Sequence, residues 1–261
     1  MRNKIAAFYK FVRLNNIIDR QPVLLSYCQT QGIKGTILLA PEGINGTIAG
    51  TPEAIASVLS YLCSDPLLVD LEYKESHVDT LPFVRIKVRL KREIVTIGLP
   101  EIDPKKQVGT YINPQDWNGI LQNPEVTVID TRNNYEVGIG SFHRAINPHI
   151  NSFREFPEYV GQNLDPEYHK KVALFCTGGI RCEKATSFLL GKGFPQVYHL
   201  KGGILRYLEE IPSIESLWSG ECFVFDKRMA VSYGLEPCDH EMDPNCEVKA
   251  FYPQRFDSDT P

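Results

Sequence analysis

VALFCTGGIRCEKATSFL, residues 172–189, joins an apolar run to a helix through a cysteine, two glycines and an arginine. Val172 to Phe175 suit a buried strand, and the positions after Arg181 resume as a helix, so the segment reads as a strand-to-helix turn. Ligands of an open parallel sheet gather at the carboxyl ends of its strands, and Cys176 stands at such an end. Thr177, Gly178, Gly179, Ile180 and Arg181 can curl so that successive backbone N–H groups point inward. Glycines without a Cβ and the positive end of the following helix both favour that anion nest. A thiol at its centre is driven towards thiolate, the nucleophilic form. A lone strand cysteine is more often packing; strand end, double glycine, arginine and helix start together turn the reading towards chemistry. Cys182, in the first helical turn, suits either a resolving thiol for Cys176 or packing.

Working outward, VTVID (126–130), VALFC (172–176) and VYHL (197–200) are short apolar strands, with helical segments around 154–161 and 182–191. This alternation predicts a parallel sheet covered on both sides. Residues 99–120 hold three prolines and little periodicity and read as a linker.

The N-terminal part has another grammar. IAAFYKFV (5–12) reads as a strand and PVLLSYCQTQ (22–31) as a helix. GTILLA (35–40) and GTIAG (46–50) read as a hairpin, with Gly43 and Asn45-Gly46 supplying a tight reversal. Thr51 and Pro52 open a second helix as N-cap and N1. A closing strand is expected from LEYKESHV (71–78) or FVRIKVRLKREIVTIG (83–98). In the second, Val84, Ile86, Val88 and Leu90 alternate with Arg85, Lys87, Arg89 and Lys91, followed by Arg92, giving one oily face and one cationic ladder. The order predicts an α+β sandwich of ferredoxin or acylphosphatase type, helices on one face and the other face open. The ladder is a candidate contact for a nucleic-acid backbone, with a solvated sheet face as the plainer reading.

Composition narrows the class. The 261 residues are 43% hydrophobic and carry a net charge of −4, cationic side chains being in slight excess over residues 1–100 and acidic ones beyond. With no apolar stretch of about 18 residues and no signal-peptide pattern, the expectation is a soluble cytosolic protein without a membrane partner. Seven scattered cysteines do not form a secreted disulfide framework. Cys222, Cys238, His240 and Cys246 lack the paired spacing of a zinc site, so no metal is expected. Neither a dinucleotide fingerprint nor a 2-His-1-carboxylate spacing is present, and no cofactor is evident.

The cysteine loop resembles the active loop of rhodanese domains, and VIDTRNNYEVGIGSFHRAINP (128–148) is similar to their upstream signature, in which Asp130 ends a strand and Arg132 and Glu136 follow. Ser141 and Arg144 stand where that family usually has His and Gly. Six ordered motifs, GTILLAPEGINGTIAG, VRIKVRLKREIVTIG, FREFPEYV, CTGGIRCEKA, KGGI and GECFVFDKRMAV, extend the resemblance over residues 5–233 to the bacterial tRNA uridine hydroxylase family. The resemblance implies an acylphosphatase-like domain (1–98), the linker (99–120), a rhodanese-like α/β domain (121–221) and a C-terminal extension (222–261). It implies oxygen-dependent hydroxylation of uridine 34 of tRNA to 5-hydroxyuridine; the loop makes Cys176 the candidate nucleophile, with O2 and an unidentified reductant as co-substrates. Sulfur transfer through a Cys176 persulfide is the alternative enzymatic reading. A non-catalytic RNA-binding module is a third, against which the intact CTGGIR loop argues.

Overall fold

Apolar residues two apart in NKIAAFYKF build β1 (Asn3–Phe11), which buries Ala6 and Phe8 on one face of its sheet and Ile5 on the other. The computed structural model describes residues 2–238, divided into two compact units, Met1–Thr96 and Ile97–Pro261. In the first unit β1 is followed by α1 (Ile17–Thr30), β2 (Lys34–Ala40), β3 (Gly43–Gly50), α2 (Pro52–Cys63), β4 (Tyr73–Val78) and β5 (Ile86–Leu90). The sheet order is β4-β1-β3-β2-β5, antiparallel except that β5 lies parallel to β2. Both helices cover one face, where Leu24, Cys28, Ile55 and Val58 meet Ile37, Ile44 and Ile48.

Several expectations change in detail. The closing strand is β4, from the first candidate segment, and the second contributes only the five-residue edge strand β5. Its oily face is not continuous: Val88 is buried, but Val84 and Leu90 are 70% and 41% exposed. A short edge strand has a partner on one side only, and α1 approaches it where Gln21 Nε2 donates to the Val88 carbonyl at 2.9 Å. The opposite sheet face is not open either, since Leu81 and Phe83 pack on Ile5, Ala49 and Val78. The hairpin reverses at Pro41-Glu42, with Ala40 paired to Gly43, and Asn45-Gly46 lie inside β3. Gly43 is required by proximity: a Cβ there would sit 2.0 Å from the Lys10 carbonyl oxygen. Glu42 and Asn45 clamp Ile94, the carboxylate accepting its N–H at 2.6 Å and the amide donating to its carbonyl at 3.0 Å.

The second unit holds β6 (Thr110–Ile112), α3 (Pro114–Gln122), β7 (Val126–Asp130), α4 (Asn134–Val137), β8 (Gly140–Phe142), α5 (Phe156–Asn163), β9 (Lys171–Phe175), α6 (Ile180–Gly191), β10 (Gln196–Leu200), α7 (Gly203–Glu210), β11 (Trp218–Gly220), β12 (Cys222–Phe223) and β13 (Ala230–Val231). A four-stranded parallel sheet, β6-β10-β9-β7, forms its centre. Residues 99–120, expected as a linker, thus contain the edge strand β6 and most of α3, whose Trp117 is fully buried against Phe142 and Phe175. Pro114 sits in the first turn of α3, where its fixed φ favours a helix instead of breaking one. The described part of residues 222–261 is no appendage: Cys222, Val224, Val231 and Leu235 join the same core. His240 and Cys246 lie outside the described residues. No helix among the described residues is long and apolar enough to cross a membrane.

Candidate active site

The loop after β9 is held from below. Two N–H groups at the start of α7, those of Ile204 and Leu205, each donate at 3.0 Å to the carbonyls of Cys176 and Thr177. With these carbonyls engaged there, loop amides are free to face the sulfur, and Gly179 N–H donates to Cys176 Sγ at 3.1 Å. Gly179, at φ +101°, is the N-cap of α6. Gly203, at φ +69°, allows the close approach, because a Cβ there would lie 2.5 Å from the Cys176 carbonyl oxygen. The KGGI segment therefore supports the loop, a role that only this long-range contact reveals.

Cys176 has no solvent exposure, as does Cys182. Burial alone would push the Cys176 thiol up. The Cys182 thiol donating to it, the Arg181 guanidinium and the N–H groups of Cys182 and Arg181 outweigh that and bring it down to about 5 from 9.0. The same pair drives Cys182 the other way, well above the ordinary thiol range, through burial and the adjacent Cys176 sulfur. Cys182 Sγ also lies 3.7 Å from Thr131 Oγ1. The sulfur is thus enclosed, but among aligned dipoles and not in plain hydrocarbon. Contrary to an open thiolate, a reactant reaches it only when its cover moves.

Two buried ion pairs frame the loop. Arg181 donates from Nη1 and Nη2 to the two carboxylate oxygens of Glu136 at 2.6 and 2.7 Å. Arg132 grips Asp130 from Nε at 2.9 Å and Nη2 at 2.7 Å and donates from Nη1 to the Glu136 carbonyl at 3.1 Å. Ser141 Oγ donates to Asp130 at 2.9 Å. Arg144 points elsewhere, to the Leu121 carbonyl, and its φ of +67° is a backbone state that glycine takes without strain. Asp130, Arg132, Cys176, Thr177, Gly178, Gly179, Ile180, Arg181 and Cys182 all belong to this one constellation. Glu136 is its central carboxylate, yet locally it reads as the N3 residue of a capping box with Asn133, a signal that hides its tie to Arg181.

Arg85, Lys87, Arg89, Lys91 and Arg92 belong to the other unit; all are exposed except the half-buried Lys87. Among the described residues no group of three or more His, Cys, Asp or Glu could hold a metal ion. Nothing local in the sequence singles out His199 on β10, which is 2% exposed and packs at a tilt against Tyr111, with ring centroids 4.2 Å apart. Among the described residues its ring nitrogens lack partners of normal geometry, and burial, opposed by the backbone at Gly109, pushes it down to about 4.

The fold and site define a two-domain protein with a rhodanese-like second half that encloses a cysteine in the loop after β9. Residues 3–94 match the UPF0176 acylphosphatase like domain and residues 113–210 the rhodanese-like domain. The chain is 57% identical, over 95% of its length and 86% of the relative's, to the tRNA uridine(34) hydroxylase of Picosynechococcus sp., and it belongs to that family of enzymes. Among solved structures it is similar to a rhodanese-related protein of Thermoplasma volcanium, with 28% identity, TM-score 0.32 and coverage of 38% of this chain and 90% of the other. A rhodanese-like domain from Anabaena sp. follows at 17% identity, TM-score 0.36 and coverage of 43% and 80%.

Proposed function

We propose that this chain hydroxylates C5 of uridine 34 in tRNA, in the cytoplasm, with Cys176 as the nucleophile. The observation that carries the reading is the Cys176 sulfur accepting from the Gly179 N–H in its loop, with the Arg181 guanidinium among the groups that lower the thiol, in a chain of that family. Addition of the thiolate to C6 of the uracil ring makes C5 electron-rich and able to take an oxygen atom derived from O2. The second oxygen leaves as water at the expense of two electrons from an external donor, and loss of the C5 proton expels the thiolate. Nucleoside mass spectrometry of tRNA from a strain lacking the gene, with and without this chain restored, tests the reading. Restored 5-hydroxyuridine is expected; uridine unchanged in both strains would overturn it.

For the tRNA backbone, the cationic segment Arg85 to Arg92 is the proposed contact, since cations along an edge strand can neutralise successive phosphates. Arg85→Glu with Lys87→Glu is expected to weaken tRNA binding on the order of tenfold near physiological salt and to flatten its salt dependence. Filter binding at several salt concentrations checks this, and unchanged binding leaves a solvated strand.

One observation favours sulfur transfer as a second reading. Cys176 Sγ is fully enclosed, and a persulfide would carry the reactive atom about 2 Å further out. Sulfur transfer from thiosulfate to cyanide by the purified chain, without hydroxyuridine loss on deletion, would support it.

A further inference from the structure

The hairpin of β12 and β13 supplies none of the groups that hold the Cys176 sulfur, yet its turn is tightly fixed. Cys222 pairs with Val231 and Phe223 with Ala230. Between them Val224 N–H donates to the Met229 carbonyl at 2.9 Å and Met229 N–H to the Asp226 carbonyl at 3.0 Å. Asp226 is 2% exposed and accepts from Arg228 Nε at 2.8 Å and Nη2 at 2.6 Å. With Asp226 anchored inward, its neighbours Phe225 and Lys227 both face solvent, and Phe225 is 51% exposed.

That exposed ring stands at the reactive loop. The Arg181 guanidinium lies 5.9 Å from its centroid, the same guanidinium that is paired to Glu136 and lowers the Cys176 thiol. Behind it Phe223 packs edge-on at 5.2 Å, and Tyr135 packs edge-on against Phe223 at 5.3 Å. A ring braced by Phe223, half-bare to water, set in a turn that the Asp226–Arg228 ion pair fixes and followed two positions later by an exposed lysine, has the parts of a single-stranded nucleic-acid contact. An aromatic face takes a base, and a cation takes the neighbouring phosphate.

We propose that Phe225 is the platform on which the substrate pyrimidine stacks as it enters the Cys176 loop, and that Lys227 holds an adjacent phosphate. The inference rests on the reading that the substrate is a base of tRNA. It makes the FDKR turn a positioning element for the anticodon loop, and Phe225 a determinant of affinity and not of thiolate chemistry.

The test uses the full chain and an anticodon stem-loop RNA carrying uridine at position 34, beside the same RNA abasic at that position. Phe225→Ala is expected to raise both Kd and KM roughly 5- to 100-fold for the uridine RNA. It should leave Kd for the abasic RNA and the ultraviolet thiolate titration of Cys176 unchanged, and Phe225→Trp should restore binding. Lys227→Ala is expected to weaken both RNAs alike and to reduce the salt slope by about one. Equal binding of the uridine RNA by wild type and Phe225→Ala would overturn the platform. So would Phe225→Trp behaving like Phe225→Ala, a displaced thiolate titration in Phe225→Ala, or an equal penalty on the abasic RNA. Should wild type bind the stem-loop without hydroxylating it, the proposed reaction fails, while the stack is still judged by the Phe225→Ala difference; wild type that does not bind it overturns the stack.

Discussion

Cys176→Ser is expected to abolish formation of 5-hydroxyuridine, a loss on the order of 10³-fold or more, because the serine hydroxyl stays protonated where the thiol ionises. With its pKa at about 5 instead of 9.0, Cys176 is almost wholly thiolate at neutral pH, whereas an ordinary thiol is about 1% ionised there. The ultraviolet thiolate signal, taken as wild type minus Cys176→Ser, should therefore be constant above roughly pH 6 and disappear as pH falls through about 5. Activity limited by this ionisation should follow the same limb, rising with pH through 5 and then level. The buried sulfurs of Cys28 and Cys222 do not confuse the measurement. Burial raises Cys28 to about 11 and Cys222 to about 12, so both titrate on the opposite side of neutrality. A midpoint near 9 would mean that the loop amides and Arg181 do not hold charge on the sulfur, and the nucleophilic role would fall with them. Full hydroxylation by Cys176→Ser would remove Cys176 from the reaction even with a low pKa.

What the sequence disclosed was what is local. A strand that runs up to Cys176, a pair of glycines at the turn into α6, and the Thr51 cap of α2 are each written within a few residues; in the structure β9 closes at Phe175, Gly179 takes a φ of +101° and Thr51 caps α2. The misreadings share a cause as well. Residues 99–120 read as a linker because the helix that Pro114 starts is anchored by Trp117, whose contacts with Phe142 and Phe175 come from remote strands. β4 and β5 could not be ranked as closing strand, since the choice depends on which edge each joins and not on its own pattern. In the site, Glu136 was legible as a helix cap but not as the partner of a guanidinium 45 positions later, and Gly203 only as part of a motif. The enclosure of Cys176 is equally non-local, because several segments contribute to it and none encodes it alone.

The Glu136–Arg181 pair separates structural from chemical roles most sharply, because its two ends affect the fold alike and the sulfur oppositely. Both side chains are buried, and Glu136 also accepts from Asn133 N–H at 3.0 Å and Thr177 Oγ1 at 3.3 Å. Glu136→Gln leaves the Arg181 cation enclosed without its carboxylate, and Arg181→Met leaves the carboxylate without its cation. Each is expected to cost about 3–5 kcal/mol, since breaking a buried pair strands a charge that water no longer solvates. The double variant should lose less than the sum of the two, by roughly 1–3 kcal/mol, because neither member of the pair is then left buried without the other. Denaturant unfolding of the four proteins measures the coupling. The thiol responds with opposite signs: Arg181 is among the groups that lower Cys176, so Arg181→Met raises its pKa. Glu136 offsets the field of that guanidinium, so Glu136→Gln lowers the pKa further. A merely structural pair would destabilise both variants without moving the titration in opposite directions, so divergence of the two thiolate curves is the result that ties this ion pair to the chemistry of the loop.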